Sequence, residues 1–188
     1  WKIAPALATG NAVIIKPSEH TPTSATLLAQ VVADIGVPAG LVSVLHGTGP
    51  MSVGQKIAAH KGIDAITFTG SSATGAKIME AASTSVKPLS FELGGKNTAI
   101  VFSDADLDAA VHGVIRSVFS NSGQICLCTE RVYVEQDIFE SFLSKLTEAV
   151  QALSFEESGE EAITLGPLIS SNQRDKVLSF FDLAIKEG

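Results

Sequence analysis

Short β-branched runs alternate with segments of helical periodicity along most of this chain. The stretch "NAVIIKP" (11–17) sets three apolar β-formers before a charged residue and a proline, the pattern of a short buried strand. After it Leu28, Val32 and Ile35 recur at helical spacing. Thr21 is placed to cap that helix, Pro22 to open it and Gly36 to close it. "LVSVLHG" (41–47) predicts a second strand, 51–59 a short helix and "AITFTG" (65–70) a third strand. A helix over 73–82 and the extended segment "PLSFELGG" (88–95) follow. Beyond Asn97 the alternation continues with "TAIVF" as a strand and a helix over Ala105–Ser120 capped by Asp104. "RVYVE" is the next strand, followed by a helix from Ile138 to about Leu153, a polar stretch bearing Glu and Gly (156–162), and an amphipathic helix near 172–186.

The strands read as apolar on both faces, and each is separated from the next by helical sequence. That arrangement predicts an α/β fold of parallel sheets with helices on both sides. The doublet Gly94-Gly95 is the best boundary between two α/β units, giving 1–93 and 94–188. Trp1 opens in mid-pattern and the last periodic segment stops at Gly188, so the sequence reads as the central portion of a longer protein.

With 188 residues, 45% of them hydrophobic, the chain has material for a sizeable core. A net charge of −7 argues against a nucleic-acid or anionic-membrane surface, both of which need a basic patch. No run approaches the ~18 apolar residues of a membrane span. Two cysteines are too few for a secreted disulfide framework and no signal-peptide pattern is visible, so the expected compartment is the cytoplasm.

Four segments can carry chemistry. "FTGSSATG" places Gly70 and Gly75 after a strand and at a helix start, where backbone N–H groups can meet a phosphate. It is neither the triphosphate loop nor the G-x-G-x-x-G fingerprint, and a plain tight turn would explain it as well. "IIKPSE" leaves Lys16 and Glu19 at the carboxyl end of a strand, the edge where ligands bind in open α/β sheets. An ordinary solvated charge pair is the bland alternative. In "FELGGK", Glu92 stands between Phe91 and Leu93; desolvation there would raise its pKa and suit a general base, unless it is an exposed Glu on the polar face of a half-buried strand. Finally, "GQICLC" sets Cys126 and Cys128 two residues apart. The four histidines are scattered singly, which does not favour a metal site, and a Cys-x-Cys disulfide is strained. A nucleophilic thiol and a pair of inert buried thiols both remain open.

Together "WKIAPALATGNAVIIKPSEHTP", "FTGSSATG", "FELGGKN" and "GQICLCTERVYV" resemble, in order and spacing, the aldehyde dehydrogenase superfamily over essentially the whole chain. "ICLCTERVYV" and "SFELGGKN" are most similar to the 2-hydroxymuconic and 2-aminomuconic semialdehyde dehydrogenases. The resemblance implies a Rossmann-like NAD-binding domain over 1–93 and the start of a catalytic domain over 94–188. It places the nucleophile on Cys126, with Cys128 a bystander, and the general base on Glu92. Lys16 and Glu19 fall on the pair that holds the ribose hydroxyls of NAD on its adenine side, and Gly49 lines that side too. Gly70 and Ser71 lie against the pyrophosphate with the turn to Gly75 beneath it. Leu93 is counted with the cofactor contacts, and Lys2 with a lysine near the nicotinamide.

The implied reaction is oxidation of an aldehyde, of muconate-semialdehyde type, through a thiohemiacetal and thioester on cysteine. The implied partners are a small-molecule aldehyde and further copies of the whole protein, as a dimer or tetramer. The family's oxyanion-hole Asn and a second ribose-binding Glu lie in motifs outside these residues, so the chain alone is expected not to turn over aldehydes. A non-catalytic relative of the same fold is the rival reading, which loss of Cys126 or Glu92 would have favoured. Both are present.

Overall fold

The computed structural model describes residues 1–49, 51–155 and 165–188. Pro50 and the expected polar stretch at 156–162 lie outside the described residues. Two compact units follow one another, Trp1–Gly94 and Gly95–Gly188.

The first unit holds two parallel strand pairs. Strand β1 (Val13–Ile15) pairs with β2 (Val42–Val44), and β3 (Ile66–Thr69) pairs with β4 (Leu89–Glu92). The connection from β1 to β2 is helix α2 (Thr23–Asp34), and that from β3 to β4 is helix α4 (Ser72–Ala82), each the crossover a parallel pair requires. Helix α3 (Val53–Ala59) lies between β2 and β3 and packs on α4. Helix α2 ends as its sequence predicts: Gly36 turns left-handed (φ +77°), and the N–H groups of Gly36 and Val37 close on the carbonyls of Ala33 and Val32. Its start differs. The first helical bond runs from Thr26 N–H to Pro22 O, so Pro22 is the cap residue, while Thr21 belongs to a turn that closes on Ser18 O.

Among the described residues the second unit has one parallel pair, β5 (Asn97–Val101) with β6 (Thr129–Val134), joined through helix α5 (Leu107–Phe119). Helix α6 (Phe139–Gln151) follows a short 3-10 turn, and α7 (Ser171–Glu187) ends the chain. The cap of α5 is Asp106, whose Oδ1 accepts from Ala109 N–H at 3.0 Å. Asp104, the expected cap, is spent in a turn in which Ala105 N–H reaches Phe102 O. The core gathers Val101 of β5, Val111, Val114 and Ile115 of α5, and Phe142 of α6. These apolar positions share one face of α5 at helical spacing, which is why that helix docks on the strand pair.

A short helix α1 (Ile3–Ala8), for which the sequence pattern predicts no element, precedes β1; Pro5 in "KIAPALA" hides its periodicity. The expectation of strands buried on both faces is corrected at β3, β4 and β5, which alternate: Phe68 and Phe91 turn inward, Thr67 and Ser90 outward, whereas β2 is half-buried throughout. Ile100 and its register partner Tyr133 also face outward on β5 and β6, 62% and 58% exposed.

Candidate active site

In a parallel pair the strand carboxyl ends share one edge, and loops there collect whatever side chains follow each strand. At the β1–β2 edge, Lys16 follows β1 directly and is half-buried, its stem lying along Gly54 of α3. Its Nζ stands 3.4 Å from Glu19 Oε2. The backbone N–H of Glu19 itself, and then the Lys16 ammonium, hold the Glu19 carboxyl below the usual range, so it is charged at neutral pH. His46 leaves the end of β2, with Nε2 3.2 Å from Thr26 Oγ1. His46, Pro22, Thr23, Thr26 and Leu27 line an open, mainly apolar cleft of about 380 Å³. Gly49, beyond it, is left-handed (φ +72°) on an exposed loop.

At the β3–β4 edge, Gly70 N–H donates to Glu92 O at 3.1 Å, so the end of β4 and the turn into α4 are joined backbone to backbone. Ser71 caps α4 by accepting from Thr74 N–H. Gly75 is buried within α4, not in the turn. A Cβ there would meet Leu93 Cδ2 at 3.1 Å and Phe91 Cδ1 at 3.7 Å, so this glycine lets helix and strand approach. Glu92 is exposed. Strand alternation sends Phe91 inward and Glu92 outward, so the first unit does not supply the desolvation expected from its apolar neighbours. Lys2 is half-buried at the start of α1 and makes no ion pair among the described residues.

The two cysteines of the second unit differ sharply. Both are free thiols, but Cys126 is exposed, whereas Cys128 is buried with its Sγ 3.6 Å from Ser120 O. The chain reaches them through three consecutive left-handed residues, Asn121, Ser122 and Gly123 (φ 49°, 56° and 73°). Cys128 N–H then closes a turn on Ile125 O at 2.9 Å. Asn97 Nδ2 donates to Cys126 O at 2.6 Å and to Cys128 O at 3.0 Å. Among the described residues the Cys126 N–H has no acceptor, so it is free to meet a ligand.

The structure thus gathers Lys16, Glu19 and His46 at one edge, and Gly70, Ser71 and Glu92 at another, with Cys126 on a fixed turn of the second unit. Sequence reasoning missed Asn97, His46 and Thr26. For the last two the signal was available, since both flank the carboxyl edge of β1 and β2. Among the described residues no cluster of three His, Cys, Asp or Glu could hold a metal, and no helix is long and apolar enough to cross a membrane.

Comparison with known proteins adds the family. The aldehyde dehydrogenase family model matches residues 1–188. The chain is 55% identical to a 2-aminomuconic 6-semialdehyde dehydrogenase of Pseudomonas sp., over 100% of this chain and 38% of that protein. It is 50% identical to a 2-hydroxymuconic semialdehyde dehydrogenase of Pseudomonas sp. (strain CF600), again over all of this chain and 39% of the relative. Among solved structures, PnpE of Pseudomonas sp. WBC-3, crystallised in complex with nicotinamide adenine dinucleotide, superposes with a TM-score of 0.91 at 40% identity. That match covers 100% of this chain and 38% of PnpE. The chain therefore spans under two-fifths of the length of these relatives.

Proposed function

The chain belongs to the aldehyde dehydrogenase family, and from that premise we propose that the whole protein oxidises an aldehyde to its carboxylic acid with NAD. The substrate we propose is a semialdehyde of the muconate type, on the strength of the two Pseudomonas relatives. The observation that carries the reading is the contrast at the cysteine turn: an exposed Cys126 whose backbone N–H has no acceptor among the described residues, beside a buried Cys128.

The residues at the first unit's strand edges fit a dinucleotide. Glu19, charged and steadied by Lys16, offers two acceptors to ribose hydroxyls. The apolar walls of the cleft beside it suit a flat base. Gly70 and Ser71 lead into the capped start of α4, whose first-turn backbone N–H groups beyond Ser71 lack intrahelical acceptors and suit a pyrophosphate. When bound, the nicotinamide supplies the hydride acceptor. Gly75 and Leu93 act beneath these contacts, setting the spacing of α4 and β4.

On this reading the Cys126 thiolate attacks the aldehyde carbon. A C–S bond forms and the carbonyl π pair moves onto oxygen. The free Cys126 N–H is the chain's own donor to that oxyanion, and a preorganised donor of this kind is worth ~10²–10³ in rate. Loss of hydride from the tetrahedral carbon leaves a thioester on Cys126. Glu92, at the end of β4, takes the proton of the water that hydrolyses it, releasing the acid and the thiolate.

Kinetics on the whole protein test this division of labour. Cys126→Ala is expected to abolish oxidation and Cys128→Ala to leave most of it. Glu92→Gln is expected to give one burst of NADH and then stall. A lethal Cys128→Ala beside an active Cys126→Ala would assign the nucleophile to the wrong thiol.

A further inference from the structure

We propose that Asn97 is a positioning residue for Cys126, gripping the nucleophile's turn from the neighbouring strand. The inference rests on the reading of Cys126 as the nucleophile. One carboxamide nitrogen carries two hydrogens, and here both are used: 2.6 Å to Cys126 O and 3.0 Å to Cys128 O. The flipped amide is excluded, because it would set its oxygen against two carbonyl oxygens. The Cys128 N–H meanwhile holds Ile125 O at 2.9 Å. The peptide groups before and after Cys126 are therefore both fixed, the first through Ile125 O and the second through Asn97. In a trans peptide the N–H points opposite to its carbonyl, so pinning Ile125 O aims the Cys126 N–H away from Cys128. Asn97 fixes the other side of the same residue, and the thiol and the oxyanion donor keep one relative geometry before any substrate arrives.

Asn97 itself is well anchored. It is half-buried at the first position of β5, where it pairs with Thr129. The next register pair is Thr98 with Arg131, so Glu130 is an extra residue on β6, and the Lys96 ammonium pairs with its carboxylate. The bulge sets Asn97 at the point where β6 emerges from the cysteine turn. A side chain needed only to start a strand would have no use for two carbonyls from one turn.

The test uses the whole protein with NAD and a semialdehyde. Asn97→Asp keeps the shape but replaces both donors with acceptors. It is expected to lower kcat by ~10²-fold, the scale of an ångström misplacement at a reacting centre, with KM for NAD little changed and a fall in melting temperature, from the two lost hydrogen bonds, too small to account for the loss of kcat. Asn97→Gln, which keeps both donors on a longer arm, is expected to recover part of the loss. Hydrogen exchange supplies a readout independent of turnover: the peptide spanning 123–129 should exchange faster in Asn97→Asp while α5 and the rest of β6 do not. Should that variant not fold, Asn97→Ser, which keeps one donor, is read in the same two ways. Unchanged exchange, unchanged kcat, or a loss of kcat that only tracks melting temperature and is not recovered by Asn97→Gln, would overturn the proposal. Absence of NAD-dependent oxidation by the wild-type protein would instead defeat the functional reading itself, and this inference with it.

Discussion

Replacing Gly75 with alanine separates a packing role from a cofactor-contact role at this position. In an exposed helix interior the change would stabilise by about 1 kcal/mol, since glycine is the poorer helix former. Here the new Cβ would stand 3.1 Å from Leu93 Cδ2 and 3.7 Å from Phe91 Cδ1. Carbon atoms settle near 3.5–4.0 Å, so Leu93 or the helix must retreat by about half an ångström. Overpacking of this size costs about 1–3 kcal/mol. The two effects leave Gly75→Ala destabilising by up to about 2 kcal/mol. In a Leu93→Ala background the obstacle is gone, and the same substitution should stabilise by about 1 kcal/mol. Equilibrium urea unfolding of the four proteins, wild type, each single variant and the double, gives the coupling energy directly. A change of sign between backgrounds is the expected result. If Gly75→Ala has the same effect in both, Leu93 is not what the glycine makes room for, and a direct contact with the cofactor becomes the better account.

Phe142 is 2% exposed at the centre of the second unit's core, and Phe142→Ala should cost about 3–5 kcal/mol of stability, read as a lowered urea midpoint. Glu19, held charged beside Lys16, should repel a 2′-phosphate and favour NAD over NADP by ~10-fold or more in catalytic efficiency; equal efficiency with the two cofactors would contradict its place at the ribose. Glu135 has its pKa lowered by the Ser103 hydroxyl and then by the Ser103 N–H, which reaches Oε2 at 2.6 Å. Its contribution to stability is therefore full above the ordinary carboxylate pKa and is lost as pH falls through the lower folded value, so Glu135→Gln should flatten the acid limb of the unfolding curve.

The strand–helix alternation was legible because β-branched runs and 3.6-residue periodicity are local signals. Cap choice was not. Ser18 and Thr21 stand close together before α2, as do Ser103, Asp104 and Asp106 before α5, and propensity alone cannot say that no side chain caps α2 while Asp106 caps α5. Pro5 concealed α1 in the same local way. For the site, motif order names Cys126 over Cys128 as the expected nucleophile, and the structure adds that the first thiol is exposed and the second buried. The desolvation expected for Glu92 failed because its apolar neighbours in sequence point to the opposite side of the strand. Asn97 could not have been found locally, since its first partner lies 29 residues away and exists only once β5 and β6 are paired.

The most direct test of Cys126 as nucleophile traps the covalent intermediate. The Glu92→Gln variant of the whole protein is mixed with NAD and a semialdehyde, quenched in acid, digested and sequenced by mass spectrometry. An acyl adduct on Cys126, dependent on NAD and absent from Cys128, is the predicted result. An adduct on Cys128, or none on either thiol while NADH still forms, would contradict it.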